Sequence, residues 1–246
     1  MQLLRAYVFV DAENHFIRSN AAAQDIVGSA RAAEAIAIGA RTSSGIIGFP
    51  NAIEGKRFGW NPEIQLFWDC YLLSRGGTLA PLNAHVQRAI YACSCTGDED
   101  KAHSMRVLLR KYEFEPLVIR ELKNQQKQRD TKRQQHGLIE KPKGCDIALA
   151  TRMVADGAAD LFDCCFLFTS DADFLPAVEA VRRMGKIVWV FGYADALPER
   201  SPYLFTPDRF VDLGHKLKTD WHNNKTEINK ALASLGETGD ISPTVA

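Results

Sequence analysis

Acidic side chains follow predicted strands or open predicted helices in distant parts of the sequence. Asp11 comes directly after the first apolar run, Asp171 and Asp173 come directly after a later one, and Asp146 opens a predicted helix. In an open parallel α/β sheet, residues just beyond the carboxyl ends of the strands gather at one edge, where ligands bind. We therefore expect these carboxylates to converge at that edge.

Carboxylates that converge in this way need a partner. Like charges packed closely are unfavourable unless a cation joins them or one of them takes a proton. Hard oxygen ligands without a nearby His or Cys favour Mg²⁺ or Mn²⁺ over Zn²⁺. Such an ion can hold a phosphate oxygen and lower the pKa of a bound water, which then attacks a phosphodiester. The pattern predicts a catalytic Mg²⁺ or Mn²⁺ site formed by Asp11, Asp146, Asp171 and Asp173.

Helix capping is the competing explanation for the same residues. Asp173 lies just before a predicted helix with Pro176 in its first turn, which is typical of an N-cap, and Asp146 could cap as well. One aspartate after a strand is more often a cap than a ligand, but three such places in one chain favour a site. Asn14 could orient a ligand or form a turn, and Ser170 could donate to a phosphate, although a cap is its favoured role.

The order of the apolar runs predicts an α/β fold. Short continuous runs typical of buried strands lie at 6–10, 89–93, 116–119, 164–169 and 187–191. Helical spacing is found between them at 100–112, 146–155 and 174–184. In the second helix, the predicted apolar stripe is Ile147, Ala150 and Val154. This alternation implies a mostly parallel central sheet flanked by helices on both faces.

One domain over 1–215 and a short appendage are predicted. Residues 20–60 would be an embellishment inserted after the first strand, and residues 216–246 a C-terminal helix with a flexible tail. Residues 123–143 are rich in Lys, Arg and Gln and are expected to form a basic loop beside the acidic edge. The loop would contact phosphates of a polyanion, chiefly through Lys143, Lys141 and Arg133. A solvated loop without function is the alternative.

Composition and charge exclude several classes of protein. Lys and Arg number 30, as do Asp and Glu, so any affinity for nucleic acid must come from a local patch. No apolar run approaches the roughly 18 residues of a membrane span, and no signal peptide is apparent. The 6 cysteines are therefore expected to be reduced thiols of a cytoplasmic protein. A zinc site at Cys93, Cys95 and His103 lacks an apparent fourth ligand.

Three ordered motifs carry a family resemblance. They read VFVDAEN at 8–14, KGCDIALA at 143–150 and TSDADFLP at 169–176. A later strand GKIVWVFG and a terminal segment that ends in DRFVDL follow in the expected order. Together these segments resemble the NYN domain family, in its LabA-like branch, which has a PIN-like nuclease fold. The resemblance covers roughly residues 4–215 and implies a three-layer α/β architecture.

The resemblance implies a metal-dependent ribonuclease that cleaves RNA, most simply single-stranded. It places the acidic site on the aspartates named above, with Asn14 and Ser170 as polar neighbours. Many relatives carry a further Asp six residues after the second-motif aspartate, where this chain has Arg152. The change would weaken a second metal site, or Arg152 would contact phosphate instead.

Two further readings stay open, and the number of subunits is not fixed. The first is a catalytically weak or inactive module of the same fold that binds RNA or a partner; the second is a phosphatase of the haloacid-dehalogenase type. The latter is disfavoured because its Asp-x-Asp motif comes early in the chain and is followed by Gly or Thr, whereas here Phe174 follows a late one. Homo-oligomerisation is possible.

Overall fold

A parallel sheet forms the centre of the protein. The computed structural model describes residues 3–15, 18, 84–96, 98–111, 114–121 and 144–215. In this part of the chain, the sheet has six strands in the order β3-β2-β1-β4-β5-β6, and each adjacent pair is parallel. The strands are β1 (Leu4–Asp11), β2 (Ala84–Thr96), β3 (Glu115–Glu121), β4 (Cys164–Phe168), β5 (Ile187–Gly192) and β6 (Arg209–Asp212). The α/β fold predicted from the sequence is confirmed.

Helices flank the sheet and connect its strands. They are α1 (Glu99–Lys111), α2 (Cys145–Ala158) and α3 (Leu175–Arg183). Short 3₁₀ turns are found at Ala172–Phe174, Ala194–Ala196 and Pro202–Leu204. Every residue from the third to the last position of β1 is buried. Because successive strand residues point to opposite faces, β1 is covered on both sides, as its continuous apolar run predicts.

The hydrophobic core lies where α2 and α3 pack against the middle strands of the sheet. The helical spacing predicted at 174–184 is confirmed on α3, where Ala177, Val178 and Val181 are buried. The stripe predicted on α2 is wrong at Ile147, whose exposed fraction is 72%. The buried face of α2 instead includes Cys145, Leu149 and Met153. Ile147 follows Cys145 by two positions, which places it about 200° around the helix and therefore on the exposed side.

The sixth strand is absent from the set of strands predicted from the sequence. β6 has four residues, and it pairs with β5 through Trp189–Arg209 to Gly192–Asp212. Its apolar stretch, Phe210 and Val211, is too short to indicate a strand without the neighbouring strand.

Charged residues hold the amino-terminal edge of the sheet, opposite the edge predicted to carry the site. The main-chain amide and guanidinium of Arg5 donate to Asp163, and the same guanidinium also pairs with Asp160. Lys186 forms a further ion pair with Asp160. These contacts join β1 to the segment before β4 and to the start of β5.

Several sequence-based predictions lie outside the described residues. They concern the embellishment at 20–60, the basic loop at 123–143 and the appendage at 216–246. Within the described part of the chain, none of the helices is both long and apolar enough to cross a membrane.

Candidate active site at the carboxyl edge of the sheet

Asp11 and Thr169 lie side by side where β1 and β4 end. Val10 is paired with Phe168, so the next residue of each chain segment stands at the same level of the sheet edge. The Thr169 hydroxyl donates to Oδ2 of Asp11 at 2.8 Å. The exposed fractions are only 3% for Asp11 and 1% for Thr169. The first predicted site residue is therefore a buried carboxylate held by a hydrogen bond from the neighbouring strand.

The same threonine organises the loop that carries the Asp-x-Asp motif. The Asp171 amide donates to Oγ1 of Thr169 at 3.1 Å. Oδ1 of Asp171 accepts the Asp173 amide at 3.1 Å, which caps the 3₁₀ turn that precedes α3. The competing interpretation of Asp173 as the N-cap does not hold, because the cap is Asp171 and the helical structure begins at Ala172. Asp173 is itself exposed.

Asn14 and Ser170 connect the segments that follow three different strands. Oδ1 of Asn14 accepts the Ser170 amide at 2.9 Å, and the Asn14 amide donates to Oδ1 of Asp11 at 3.3 Å. Oγ of Ser170 accepts the amide of Tyr193, just after β5, at 2.8 Å. The sequence favoured a helix cap as the role of Ser170, and this prediction is wrong, because the cap is Asp171. Both side chains are buried and hold the edge together.

Asp146 lies in the first turn of α2. The N-cap position is Gly144, with φ of 117°, so the competing interpretation of Asp146 as the helix cap does not hold. A carboxylate in the first turn is still favoured by the helix dipole. Gly144 adopts a left-handed conformation that side-chain-bearing residues rarely adopt.

The pKa of the Cys145 thiol is affected by the carboxylates near the start of α2. Its pKa is raised to about 12, first by burial and then by the negative charges of neighbouring groups, which are Cys93, Asp146, Glu13 and Asp11. Asp146 and Asp11 are thus close to the same thiol, although they are 135 positions apart in the sequence (146 minus 11). Glu13 belongs to the same acidic surroundings.

Tyr203, which was not among the predicted site residues, contacts the loop that carries Asp171. The side chain is fully buried, and its hydroxyl donates to the main-chain carbonyl of Asp171 at 2.5 Å. Burial raises the pKa of this phenol, and the neighbouring carboxylates of Asp171, Asp11 and Asp173 raise it further. Asp11 is therefore the carboxylate whose negative charge acts on both Cys145 and Tyr203.

Gly192 allows the loops at the edge to approach one another. A Cβ atom at this position would stand 2.7 Å from the Thr169 carbonyl oxygen and 2.9 Å from Oγ of Ser170. Both distances are shorter than a carbon atom tolerates, so a side chain would push the Ser170 hydroxyl away from the amide of Tyr193.

Arg152 is paired with two acids that are not among the predicted site residues. Its guanidinium pairs with Asp156 at 2.7 Å and with Glu115 at 3.0 Å. Glu115 is the first residue of β3, and β2 lies between β3 and β1, which ends at Asp11. The contact of Arg152 with phosphate stays a prediction. The other predicted phosphate contacts, Arg133, Lys141 and Lys143, lie outside the described residues.

The donor set suits a hard divalent cation, although the carboxylates are not tightly clustered. In the stretches that the structure describes, no three His, Cys, Asp or Glu side chains stand close enough together to hold a metal ion. Mg²⁺ often binds proteins through one or two carboxylates and keeps several waters. A site with few protein ligands is thus compatible with the arrangement around Asp11, and a preformed cage of all four predicted aspartates is not present.

The fold and the edge together define a class of protein. A parallel α/β sheet with acidic residues at the end of β1, at the start of α2 and after β4 is the arrangement of PIN-like nuclease domains. The NYN domain family model matches residues 5–214, and the chain belongs to this family. NYN domains are generally nucleases, and PIN-like nuclease domains typically use divalent metals.

Comparisons with individual proteins add little to the family assignment. No curated protein matches the chain. A crystal structure of a protein of unknown function, VPA0982 from Vibrio parahaemolyticus RIMD 2210633, is similar with a TM-score of 0.45 and 16% identity. The match covers 86% of this chain and 96% of that one.

Two residues of this edge carried no predicted role in the sequence. Thr169 stands inside a motif that was singled out, and its position at the end of a buried strand, level with Asp11, is a signal that could have identified it. Tyr203 gives no such signal, because its contact with Asp171 spans 32 positions and depends on how the chain returns after β5.

Proposed function

We propose that the protein is a divalent-metal-dependent endoribonuclease of the LabA-like branch, which hydrolyses phosphodiester bonds of single-stranded RNA. The observation that carries the proposal is the position of Asp11. It is a buried carboxylate that is linked to the Asp171 loop through Thr169, and its negative charge acts on Cys145, the residue beside Asp146, and on Tyr203. Mg²⁺ and Mn²⁺ are both suited to this oxygen-rich edge.

The proposed roles divide between buried and exposed carboxylates. Asp11 is held by Thr169 and by the Asn14 amide, so its orientation is set before any ligand arrives. Asp171 and Asp173 stand on a more exposed loop, where they can approach the substrate. When bound, a divalent cation would neutralise a phosphate oxygen and activate water for attack. Asp146 would complete the set from α2.

Substrate binding is proposed to depend on charge rather than on base recognition. Lys143, Lys141 and Arg133 would neutralise phosphates beside the site, and such contacts weaken steeply as salt concentration rises. Asn14 and Ser170 would act through the loops that they join, since their described hydrogen bonds are made within the protein. We propose no contact with membranes, and we expect cytoplasmic RNA to be the substrate. A homo-oligomer would be compatible with this function.

A circular single-stranded RNA tests endonucleolytic cleavage directly, because an exonuclease cannot linearise it. We expect linear products in the presence of Mg²⁺ or Mn²⁺ and none with a chelator. By analogy with the family, we expect 5′-phosphate and 3′-hydroxyl ends. Asp171→Asn should lower the rate by about 100-fold or more, as removal of one charge-stabilising group from an active site commonly does.

Asp160→Asn provides a matched control for the loss of a carboxylate. Asp160 is exposed at the opposite edge and has φ of 54°, a conformation that Asn also tolerates. This variant should cleave at the wild-type rate. Equal residual cleavage by wild type and Asp171→Asn would refute the proposed nuclease activity.

A catalytically inactive module that binds RNA or a partner is the second candidate. The observation that favours it is Arg152, which stands six residues after Asp146 where many relatives carry a further acid, and which pairs with Asp156 and Glu115. Calorimetric titration with Mn²⁺ separates the candidates, because the nuclease should bind the ion and Asp146→Asn should weaken that binding. RNA binding with no dependence on metal and no cleavage would favour the module.

A further inference from the structure

We propose that Tyr203 is a positioning residue of this site, an inference that rests on the proposed function. Its hydroxyl donates a hydrogen bond to the main-chain carbonyl of Asp171. This bond fixes the loop that bears Asp171 and Asp173 relative to Asp11. The distance from the phenol oxygen to that carbonyl oxygen is 2.5 Å. The family motif at 169–176 does not include this residue, which comes after β5.

Burial makes the hydrogen bond of Tyr203 specific. The side chain has no exposed surface, and its ring belongs to the same core as Phe174 and Val178. A buried hydroxyl that loses its acceptor costs free energy, so the phenol and the carbonyl hold each other in place. The aromatic ring is fixed by packing, and its hydroxyl therefore presents a fixed point to the loop.

The hydrogen bonds within the loop set its shape, and Thr169, which donates to Asp11, joins only the start of the loop to β1. Oδ1 of Asp171 binds the Asp173 amide, and the Asp171 amide binds Thr169. Those partners all lie within a few positions of one another. The contact from Tyr203 spans 32 positions and ties the loop to the 3₁₀ turn at Pro202–Leu204.

The chemical type of the donor also suits an acidic site. A phenol has a reference pKa of about 10, and it donates a hydrogen bond without carrying positive charge at neutral pH. A Lys or Arg at the same place would neutralise the carboxylates and compete with a divalent cation for them. Tyr203 orders the loop and leaves its negative charge unchanged.

The test compares Tyr203→Phe with Tyr7→Phe. Both variants remove a phenol hydroxyl from the same hydrophobic core, but Tyr7 lies four positions before Asp11 within β1, away from the Asp171 loop. For Tyr203→Phe we expect kcat for RNA cleavage to fall by about 10- to 100-fold, the size of effect that a misplaced catalytic group produces. KM for RNA should stay within about twofold, because the groups that bind phosphate are unchanged.

Two measurements do not depend on cleavage. Amide hydrogen exchange at residues 171–174 should be faster in Tyr203→Phe than in wild type and in Tyr7→Phe, and the Kd for Mn²⁺ should rise. Wild-type exchange, kcat and Mn²⁺ affinity in Tyr203→Phe would overturn the inference. Equal losses in both variants, in step with their unfolding midpoints, would also overturn it by showing a general effect on the core.

The outcome for the wild-type protein separates this inference from the proposed function. If the wild type neither cleaves RNA nor binds Mn²⁺, the proposed function fails, and the positioning role fails with it. If the wild type cleaves RNA and Tyr203→Phe is unchanged, the inference alone fails.

Discussion

The Thr169 hydroxyl donates to Oδ2 of Asp11 at 2.8 Å and accepts the amide of Asp171 at 3.1 Å. One side chain at the end of β4 thus links the buried carboxylate of β1 to the loop that bears the other acidic residues. The parallel pairing of β1 with β4 brings these groups together, because it places residues 11 and 169 at the same level of the edge. The orientation of Asp11 depends on a neutral donor from the adjacent strand.

Replacement of Thr169 by Val should destabilise the protein by about 1–3 kcal/mol, because it removes a donor to a buried carboxylate while keeping the shape of the side chain. Urea unfolding measures the free-energy change. Thr169→Ser retains the hydroxyl and should recover most of the loss. If Val and Ser variants are equally stable, the hydrogen bond to Asp11 does not stabilise the fold.

Gly192→Ala and Gly157→Ala should have opposite effects. At Gly192 the new Cβ would stand 2.7 Å from a main-chain oxygen, and we expect a loss of about 1–3 kcal/mol from overpacking. At Gly157, inside α2, it would meet side chains at 3.4 to 3.5 Å, an ordinary contact. There the higher helix propensity of Ala should stabilise the protein by up to about 1 kcal/mol. Thermal unfolding of the two variants checks the signs.

Acid should weaken the amino-terminal edge of the sheet through Asp163. The hydrogen bond from Arg5 lowers the pKa of this carboxyl from 3.8 to about 2. Since the folded pKa is below the unfolded one, the stabilisation is fully present above about pH 5 and is lost as the pH falls through 4 towards 2. We expect a contribution of about 1–2 kcal/mol, discounted for the partial exposure of the pair.

Asp163→Asn tests this assignment. The variant should be less stable than wild type at pH 7 and should lose less stability between pH 5 and pH 2.5. Urea unfolding at a series of pH values gives both quantities. A stability profile parallel to that of the wild type would contradict the role of Asp163 in the acid response.

Arg152→Met should lower stability and leave RNA binding unchanged. The substitution keeps an apolar stem but leaves Asp156, which is 6% exposed, without its cation. We expect a loss of about 2–4 kcal/mol, since a buried charge without its partner is costly. A direct contact with phosphate would instead reduce the salt dependence of RNA affinity by about 0.7 in log–log slope. Fluorescence anisotropy at several salt concentrations measures that slope.

The repeated apolar runs of this sequence were sufficient to predict its fold. The runs predicted at 6–10, 164–169 and 187–191 form buried strands, because a strand covered on both faces is apolar along its length. The stripe on α2 failed at Ile147, since two apolar faces of one helix compete and only the position of the sheet decides which is buried. β6 was not predicted, because its four residues form a strand only by pairing with β5.

The sequence by itself determined that acidic residues follow the strands, since strand ends and motif order can be read directly along the chain. Only the tertiary structure decided which side chains form hydrogen bonds or ion pairs with one another. It assigned the cap to Asp171, the bridge to Thr169 and the long-range contact to Tyr203, and it paired Arg152 with Glu115 and Asp156. Such hydrogen bonds join segments from different strands, and their partners are therefore fixed by strand register and packing rather than by local sequence.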